Sequence, residues 1–324
     1  MTRLALLSVR MLRYRVAAML WMFMLLGAAF HDGPTLALLW SAIALASSYV
    51  AATTLNDVAD RDLDRVNHPR DAGRPLVSGE ATEQELLQLN VAASVVALLA
   101  SVPLGLSGIL VVACSLAIGR AYSVPPVLLS YRTYLAPVVL SVAYVAVPYG
   151  LGVVAVGGSF TARDAVFCAA LMLLFLARIN LKDFRDRRGD AQYGRPTLLL
   201  RFGKTVTCAV SLVALVAGNV LLFLAVAAPP ELAVLLETFF LAIGWALHAL
   251  WRAPEGRTEQ IAIGIGAKSG NGLLITLLAW LVLTAAGAPP ADRLVFTLVL
   301  ASAFGFAFAA LVRSPERAVI GYKG

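Results

Sequence analysis

The sequence predicts an all-α polytopic membrane protein, a helical bundle of nine to ten transmembrane helices. Two observations lead to this fold class: the composition and the spacing of apolar segments. Hydrophobic residues make up 60% of the 324 positions, and charged residues only 14%. The mean hydropathy is +0.82. These values exclude an ordinary soluble domain.

Ten apolar segments are each near the length that a bilayer-spanning helix needs. A single helix over 88–122 would overshoot the hydrocarbon core, so we divide that stretch at the turn-forming run from Pro103 to Gly108. The ten segments lie approximately at 14–30, 35–55, 88–103, 106–122, 135–157, 164–181, 205–227, 231–250, 270–287 and 292–312.

Basic residues predict the orientation. With a cytoplasmic N-terminus, only Arg163 and Arg293 of the 26 Lys and Arg fall on the outer side. Both termini are then cytoplasmic. The net charge of +7 describes a cytoplasmic face that attracts anionic lipid headgroups and an anionic substrate, and it gives no reason to propose nucleic acid as a partner.

Two copies of one carboxylate pattern, D-x-x-D-x-x-x-D, end the second and sixth segments. On a helix, this spacing places all three carboxylates of a copy on one face, where like charges need a cation. The first copy comprises Asp57, Asp60 and Asp64, and the second comprises Asp183, Asp186 and Asp190. A Gly-Arg-Pro follows each, at 73–75 and 194–196. The pattern favours Mg²⁺ held between carboxylates and a diphosphate.

A simpler interpretation competes for either copy alone, because an acidic, arginine-rich stretch between membrane helices is commonly a solvated loop. Two matched copies make that interpretation improbable. Other charged residues fall off the predicted face or beyond it, and for these we expect solvent or headgroup contact. They are Arg61, Asp62, Arg65, Asp71, Arg187 and Arg188. The three histidines are scattered and predict neither a metal site nor an acid–base residue.

The two patterns also suggest an internal repeat within one membrane-embedded domain, 1–324. Two four-helix halves, about 14–122 and 135–250, would be followed by C-terminal helices over 270–312. If the halves pack around a central cavity open to the cytoplasmic face, the two acidic patches face each other over its mouth.

The motif sequences carry a family resemblance. The stretches NDVADRDLDRVNHPRDAGRPLVSGE and LKDFRDRRGDAQYGRPTLLLRFGK, with the Tyr-Ser-Val-Pro-Pro at 122–126 and the Arg132 that follows, closely resemble the signatures of the UbiA superfamily of intramembrane prenyltransferases. The resemblance implies transfer of an isoprenoid group from a prenyl diphosphate to an aromatic or other lipidic acceptor in the bilayer, with Mg²⁺. Family members usually have nine spans, whereas we count ten.

Carried over residue by residue, the resemblance assigns each carboxylate triplet to one Mg²⁺, two ions in all, with Asp57, Asp60, Asp183 and Asp186 as catalytic residues. The implied substrate-binding residues are Asn56, Arg70, Arg74, Tyr122, Arg132, Arg178 and Lys182. Two of these have competing interpretations. Arg178 could extend to the membrane interface instead, and Tyr122 could be an interfacial anchor.

Two other functions stay open. A terpene cyclase would use the same ionisation machinery without an acceptor, so the motifs do not separate it from a transferase. A transporter is also compatible with an internal repeat and intramembrane charge. We expect nearly all charge at the cytoplasmic helix ends and none near the bilayer midplane, which argues against a transporter. The Ala267–Asn271 stretch is expected to belong to a glycine-rich cytoplasmic connection.

Overall fold

The computed structural model describes residues 3–31, 35–69 and 73–314, and within these residues it contains helices and no strand. The predicted all-α class is confirmed. Three short 3₁₀ turns at 102–104, 129–131 and 180–182 and a π turn at 142–146 interrupt the α-helices. The α-helices are α1 Arg3–Met11, α2 Tyr14–Ala28, α3 Thr35–Ala59, α4 Arg61–Asn67, α5 Pro75–Ser78, α6 Glu83–Ser101, α7 Gly105–Ser123, α8 Leu135–Ser141, α9 Val147–Ala155, α10 Ala162–Ile179, α11 Asp183–Gln192, α12 Leu198–Val226, α13 Pro230–Arg252, α14 Arg257–Ala285 and α15 Pro290–Arg313.

Eight helical runs among the described residues are long and apolar enough to cross a membrane, and the bent pair α1–α2 brings the number to nine. One of these runs, Glu83–Ser123, is 41 residues long, about twice what a single crossing needs. The ten predicted segments correspond to these nine runs with Glu83–Ser123 divided in two. The multi-pass membrane class is therefore confirmed.

The Glu83–Ser123 run folds back on itself. Asn90 in α6 donates to the carbonyl of Ala51 at 2.6 Å, and Ala97, later in α6, shares a core cluster with Ala44, earlier in α3. Helices α3 and α6 are therefore antiparallel.

Helix α7 runs parallel to α3, because Ser115 pairs with Ser48 at 2.8 Å and Gly119 faces Ala52 further along both helices. The reversal between α6 and α7 lies in the 102–104 turn and at Gly105, whose φ of 72° suits glycine. This is the division that we predicted near Pro103.

The helices group into two compact units. The first unit comprises 1–160 and 185–201, and the second comprises 161–184 and 202–324. Capping boxes begin one span in each unit: Thr82 with Glu85 before α6, and Thr161 with Asp164 before α10. The predicted four-helix halves, the single domain and the central cavity stay predictions.

In the first unit, α3 packs between α6 and α7, and α2 packs closely on α9. Two glycines permit the α2–α9 contact. A Cβ at Gly27 would lie 2.1 Å from the Tyr149 carbonyl oxygen, and a Cβ at Gly152 would lie 1.9 Å from the Met24 carbonyl oxygen. Small residues that let backbones approach are a usual means of helix association in lipid.

In the second unit, α13 packs along α14, and α15 packs on α14 more sparsely. Helix α14 starts at Arg257, so the expected connection at Ala267–Asn271 is wrong: it lies inside a continuous helix. Glycine-rich sequence suggested a loop, but here glycine makes room for neighbours, since a Cβ at Gly272 would lie 2.6 Å from the Phe239 ring.

Two charged residues lie inside the candidate spans α13 and α14, whereas we expected nearly all charge at the cytoplasmic helix ends. Glu237 lies within α13, where its carboxylate accepts from Asn219 at 3.0 Å, and Lys268 lies within α14. The sequence argument assigned Lys268 to a loop, and it overlooked Glu237 because the flanking residues are apolar.

Replacing Gly152 with alanine tests the α2–α9 packing. The new methyl group would clash with the Met24 carbonyl oxygen. Overpacking of this kind typically costs about 1–3 kcal/mol. We expect a thermal midpoint several degrees lower for the purified protein in detergent. Gly150→Ala in the same helix is the control, because a Cβ there meets no atom within 4 Å and alanine favours helix. Equal midpoints for the two variants would contradict the packing account.

Candidate functional site

The first carboxylate triplet spans the junction between α3 and α4. Asp57 lies in the last turn of α3, Asp60 at the junction and Asp64 in α4. The backbone hydrogen bonds from Asp60 N to Asn56 O and from Asp64 N to Asp60 O, both 2.8 Å, continue the helical pattern across the junction. Asp57 and Asp64 are buried, whereas the Asp62 side chain is 65% exposed, as expected for a residue off the triplet face.

The second carboxylate triplet lies on one short helix, α11, which begins at Asp183. Positions 183, 186 and 190 of a helix share one face. Asp183 and Asp190 are buried, Asp186 is half-buried and Arg188 is exposed.

Within the first unit, arginines join carboxylates of both triplets. Arg74 pairs with Asp57 at 3.2 Å and more closely with Asp64. Arg195 pairs closely with Asp60 and lies 3.7 Å from Asp190, so one guanidinium contacts both triplets. Removing one partner of a buried pair typically costs about 3–5 kcal/mol, because the remaining charge stays buried.

Arg13 adds a third guanidinium from the bend between α1 and α2. Its Nη2 atom donates to Asp57 Oδ1 at 2.8 Å and Oδ2 at 3.1 Å. The Arg13 backbone is left-handed, with φ 43° and ψ 67°, at the point where the two helices bend by 64°. This conformation costs a non-glycine residue about 1–2 kcal/mol, so the contact with Asp57 coincides with local strain.

Two tyrosines, Tyr122 and Tyr131, lie near Arg195. Its guanidinium lies 5.1 Å from the centre of the Tyr131 ring, a cation–π distance. Burial alone would lower the pKa of Arg195, but the negative charges of Asp60 and Asp190 outweigh it and raise the pKa. Arg195 is therefore a permanent cation, and the half-buried Tyr122 belongs to its surroundings.

A second connection between the triplets, which we name the α4–α11 clamp, comprises Asn67, His68, Asp186 and Gly189. His68 Nε2 lies 2.9 Å from Asp186 Oδ1, and the Gly189 N–H donates to Asn67 Oδ1 at 2.6 Å. A Cβ at Gly189 would lie 2.6 Å from Asn67 Nδ2, so only glycine fits without displacement. The clamp holds the end of α4 against α11, and it gives His68 a role that its isolated position in the sequence did not predict.

Asp64 shows how concentrated the negative charge is. Burial raises its pKa to about 8; Arg74 opposes the rise, and the charges of Asp57, Asp60 and Asp186 add to it. Carboxylates of both triplets therefore repel one another across the cluster, which is the electrostatic condition that favours a bound cation.

The other predicted site residues are placed as follows. Asn56 donates to Asp60 at 2.9 Å. Arg132 is exposed, and Arg70 lies outside the described residues. Arg178, Lys182 and Asp183 belong to the second unit, where Arg178 Nη1 donates to Asn271 Oδ1 at 2.9 Å and Lys182 is half-buried.

Hard carboxylate oxygens are the donors that Mg²⁺ prefers, and a cation bound among them would offset the repulsion that helps to raise the pKa of Asp64. As oriented, these carboxylates point to arginines. Across residues 3–31, 35–69 and 73–314, no group of three or more His, Cys, Asp or Glu side chains is arranged to hold a metal ion. The donor chemistry thus fits Mg²⁺, provided that side chains turn from arginine to metal.

Sequence reasoning missed three charged or polar contacts in this cluster: Arg13, His68 and Arg195. Arg195 had a signal, since it is the arginine of the second Gly-Arg-Pro, equivalent to Arg74 in the first. Arg13 and His68 had none, because their partners lie 44 and 118 positions away.

Comparison with known proteins identifies the class. The model of the UbiA prenyltransferase family matches residues 16–263, and the chain belongs to that family. This confirms the resemblance that the two motifs carry.

Three curated relatives have names that describe prenyl transfer or chlorophyll synthesis. The chain is 34% identical over 171 residues to homogentisate phytyltransferase of Synechocystis sp., a match that covers 51% of this chain and 54% of the relative. It is 27% identical over 208 residues to the bacteriochlorophyll synthase 33 kDa chain of Rhodobacter capsulatus, covering 62% and 67%. It is 29% identical over 163 residues to chlorophyll synthase of Arabidopsis thaliana, covering 46% and 40%. The match therefore spans about half of the first relative's length.

Solved structures share the fold. A UbiA homologue from Aeropyrum pernix superposes with a TM-score of 0.63 at 19% identity, covering 88% of this chain and 99% of the homologue. A UbiA homologue from Archaeoglobus fulgidus, bound to DMAPP and Mg²⁺, gives 0.59 at 16% identity, covering 97% and 99%.

A double-mutant cycle tests the α4–α11 clamp. Gly189→Ala should lower the thermal midpoint of the purified protein, because its methyl group displaces the Asn67 side chain. Asn67→Ala should also lower the midpoint, because the Gly189 N–H loses its acceptor. With both changes, the clash is absent, so the double variant should be no less stable than Asn67→Ala alone. Additive losses would contradict the clamp.

Proposed function

We propose that this chain is a Mg²⁺-dependent intramembrane prenyltransferase that moves an isoprenoid group from a prenyl diphosphate to an aromatic or other lipidic acceptor. One observation supports this most: carboxylates of both motifs lie in one cluster with Arg13, Arg74 and Arg195. Such a cluster offers oxygen ligands for a divalent cation and guanidinium donors for a diphosphate at the same place.

The metal assignment follows the two triplets. Asp57, Asp60 and Asp64 would hold one Mg²⁺, and Asp183, Asp186 and Asp190 a second. Bound Mg²⁺ neutralises the charge that develops on the leaving diphosphate. Asn56 supports the first triplet by fixing the Asp60 carboxylate at 2.9 Å.

The arginines would change partners when substrate binds. Arg74 and Arg195 now neutralise Asp64 and Asp60. When the carboxylates turn to metal, these guanidinium groups become available to donate to diphosphate oxygens, a bidentate geometry in which arginine is favoured over lysine. Arg70, Arg132, Arg178 and Lys182 remain candidate diphosphate ligands.

Ionisation of the prenyl C–O bond gives an allylic cation that water would quench. Tyr131 already contacts the Arg195 guanidinium at a cation–π distance, and Tyr122 lies in the same surroundings. These rings can stabilise a neighbouring carbocation by the same electrostatic attraction. The apolar spans would hold the prenyl chain and bring the acceptor from the bilayer.

The excess of Lys and Arg at one set of helix ends favours a cytoplasmic position for both motifs and both termini. A water-soluble diphosphate would then enter from the cytoplasm while the acceptor enters laterally. The names of the curated relatives, a phytyltransferase and chlorophyll synthases, agree with a lipophilic group being transferred.

Diphosphate release by the purified protein tests the proposal. Asp60→Ala and Asp186→Ala should each reduce release with Mg²⁺ and a prenyl diphosphate by at least about a hundredfold, since each removes an oxygen ligand of a transition-state-stabilising ion. Asp62→Ala is the matched control: its carboxylate lies in the same segment, is 65% exposed and should leave the rate nearly unchanged. Equal rates in all three variants, or full activity with excess chelator, would contradict the metal–diphosphate mechanism.

The same assay separates transferase from cyclase when acceptor is left out and products are identified by mass. A transferase should give only slow hydrolysis to the prenyl alcohol, and a panel of chain lengths and aromatic acceptors should restore turnover. Abundant cyclic hydrocarbon from the prenyl diphosphate alone would replace our proposal with the cyclase.

A further inference from the structure

Helix α12 contains a kink at Gly203. The backbone there has φ 78° and ψ 178°, a conformation that glycine alone adopts readily. The Thr207 hydroxyl donates to the Gly203 carbonyl at 2.9 Å. Lys204 is the first residue after the kink, so it lies at the point where α12 sets out in its final direction.

The Lys204 ammonium joins three helices. It donates to the Ala253 carbonyl at 2.6 Å and to Glu259 Oε1 at 2.8 Å. Ala253 directly follows α13, and Glu259 lies in the first turn of α14. A lysine at the last carbonyls of a helix and a carboxylate in the first turn of another both interact favourably with the helix dipoles. One side chain of α12 therefore holds the end of α13 and the start of α14 together.

The ion pair between Lys204 and Glu259 is largely withdrawn from water. The Glu259 side chain is 2% exposed, and that of Lys204 is 23% exposed. A buried pair of this kind adds little net stability compared with apolar residues of similar volume. Stability alone is therefore a poor reason for the pair, and the position of the ammonium beside α11 supplies a better one.

The contact with α11 is aromatic. The Lys204 Nζ atom lies 6.0 Å from the centre of the Phe184 ring, at the outer limit of a cation–π contact. Phe184 is buried and directly follows Asp183, the first carboxylate of the second triplet and the first residue of α11. Lys204, Glu259, Phe184 and Asp183 all belong to the second unit. The ammonium thus links the kinked part of α12 to the start of α11.

We infer that Lys204 is a positioning residue for the second carboxylate triplet. In what we name the Lys204 node, which comprises Lys204, Ala253, Glu259 and Phe184, the two oxygens fix the ammonium, and the ammonium holds the Phe184 ring. The start of α11, and with it the Asp183 carboxylate, is thereby kept in one place for the second Mg²⁺. The inference rests on the proposed function, because Asp183 is a metal ligand only in that proposal.

Hydrogen–deuterium exchange of α11 tests the inference in metal-free protein. Lys204→Met leaves Glu259 buried without its partner and should lower the thermal midpoint. Combining Lys204→Met with Glu259→Met replaces both charges with apolar side chains and should restore the midpoint to near that of the wild type. Both variants lack the ammonium at Phe184, so both should exchange the amides of α11 about threefold faster or more than the wild type.

Thr205→Val is the matched control. Thr205 accepts from Trp251 Nε1 at 3.3 Å, so this variant breaks another contact between α12 and α13 while it keeps the ammonium. Its α11 exchange should match that of the wild type. Phe184→Leu leaves the ion pair intact and should reproduce the faster exchange. If exchange in the double variant returned to the wild-type rate together with the midpoint, the pair would serve stability alone and the inference would be overturned.

Mn²⁺ binding in the presence of pyrophosphate connects the Lys204 node to the triplet. The double variant should bind the first ion as tightly as the wild type and the second about threefold more weakly or worse. A second-ion affinity equal to that of the wild type would overturn the inference. A wild type that binds no Mn²⁺ with pyrophosphate would instead contradict the proposed function, and with it the metal role of Asp183, whereas the metal-free exchange result would still decide whether the node holds α11.

Discussion

Repulsion among buried carboxylates is the constraint on which the described structure of the first unit depends. Asp57, Asp60, Asp64, Asp186 and Asp190 come together at helix ends, where burial and the neighbouring carboxylates raise the pKa of Asp64. Arg13, Arg74 and Arg195 supply the compensating cations, and the α4–α11 clamp holds the two acidic segments together. The strained bend before α2 and the glycine at position 189 are both explained by these contacts.

Guanidinium groups that neutralise carboxylates are also suited to binding phosphate. The proposed exchange of partners links the structure to the proposed chemistry: Mg²⁺ would take the carboxylates, and diphosphate would take the arginines. Such an exchange would account for a donor set that fits Mg²⁺ although the carboxylates, as oriented, point to arginines. It would also give both Gly-Arg-Pro segments, which closely follow the carboxylate patterns in sequence, a common role.

The membrane fold and the carboxylates were predictable from sequence because both are periodic: apolar runs repeat at bilayer length, and aspartates repeat at helical spacing. Contacts between residues that are distant in sequence were not predictable. Arg13 reaches Asp57 only because the chain bends by 64° before α2, and His68 meets Asp186 only because α11 lies beside α4. Lys268 was misplaced because glycine weakens helices in water yet supports close helix packing in lipid.

Direct metal binding tests the central claim, that Mg²⁺ and diphosphate together replace arginine at the carboxylates. Mn²⁺ can stand in for Mg²⁺, and the electron paramagnetic resonance signal of free Mn²⁺ reports how much is bound. The account predicts weak binding alone and much tighter binding of two ions per chain with pyrophosphate, lost in Asp60→Asn and Asp186→Asn but retained in Asp62→Asn. Mn²⁺ binding that is indifferent to pyrophosphate, or equally strong in all three variants, would contradict it.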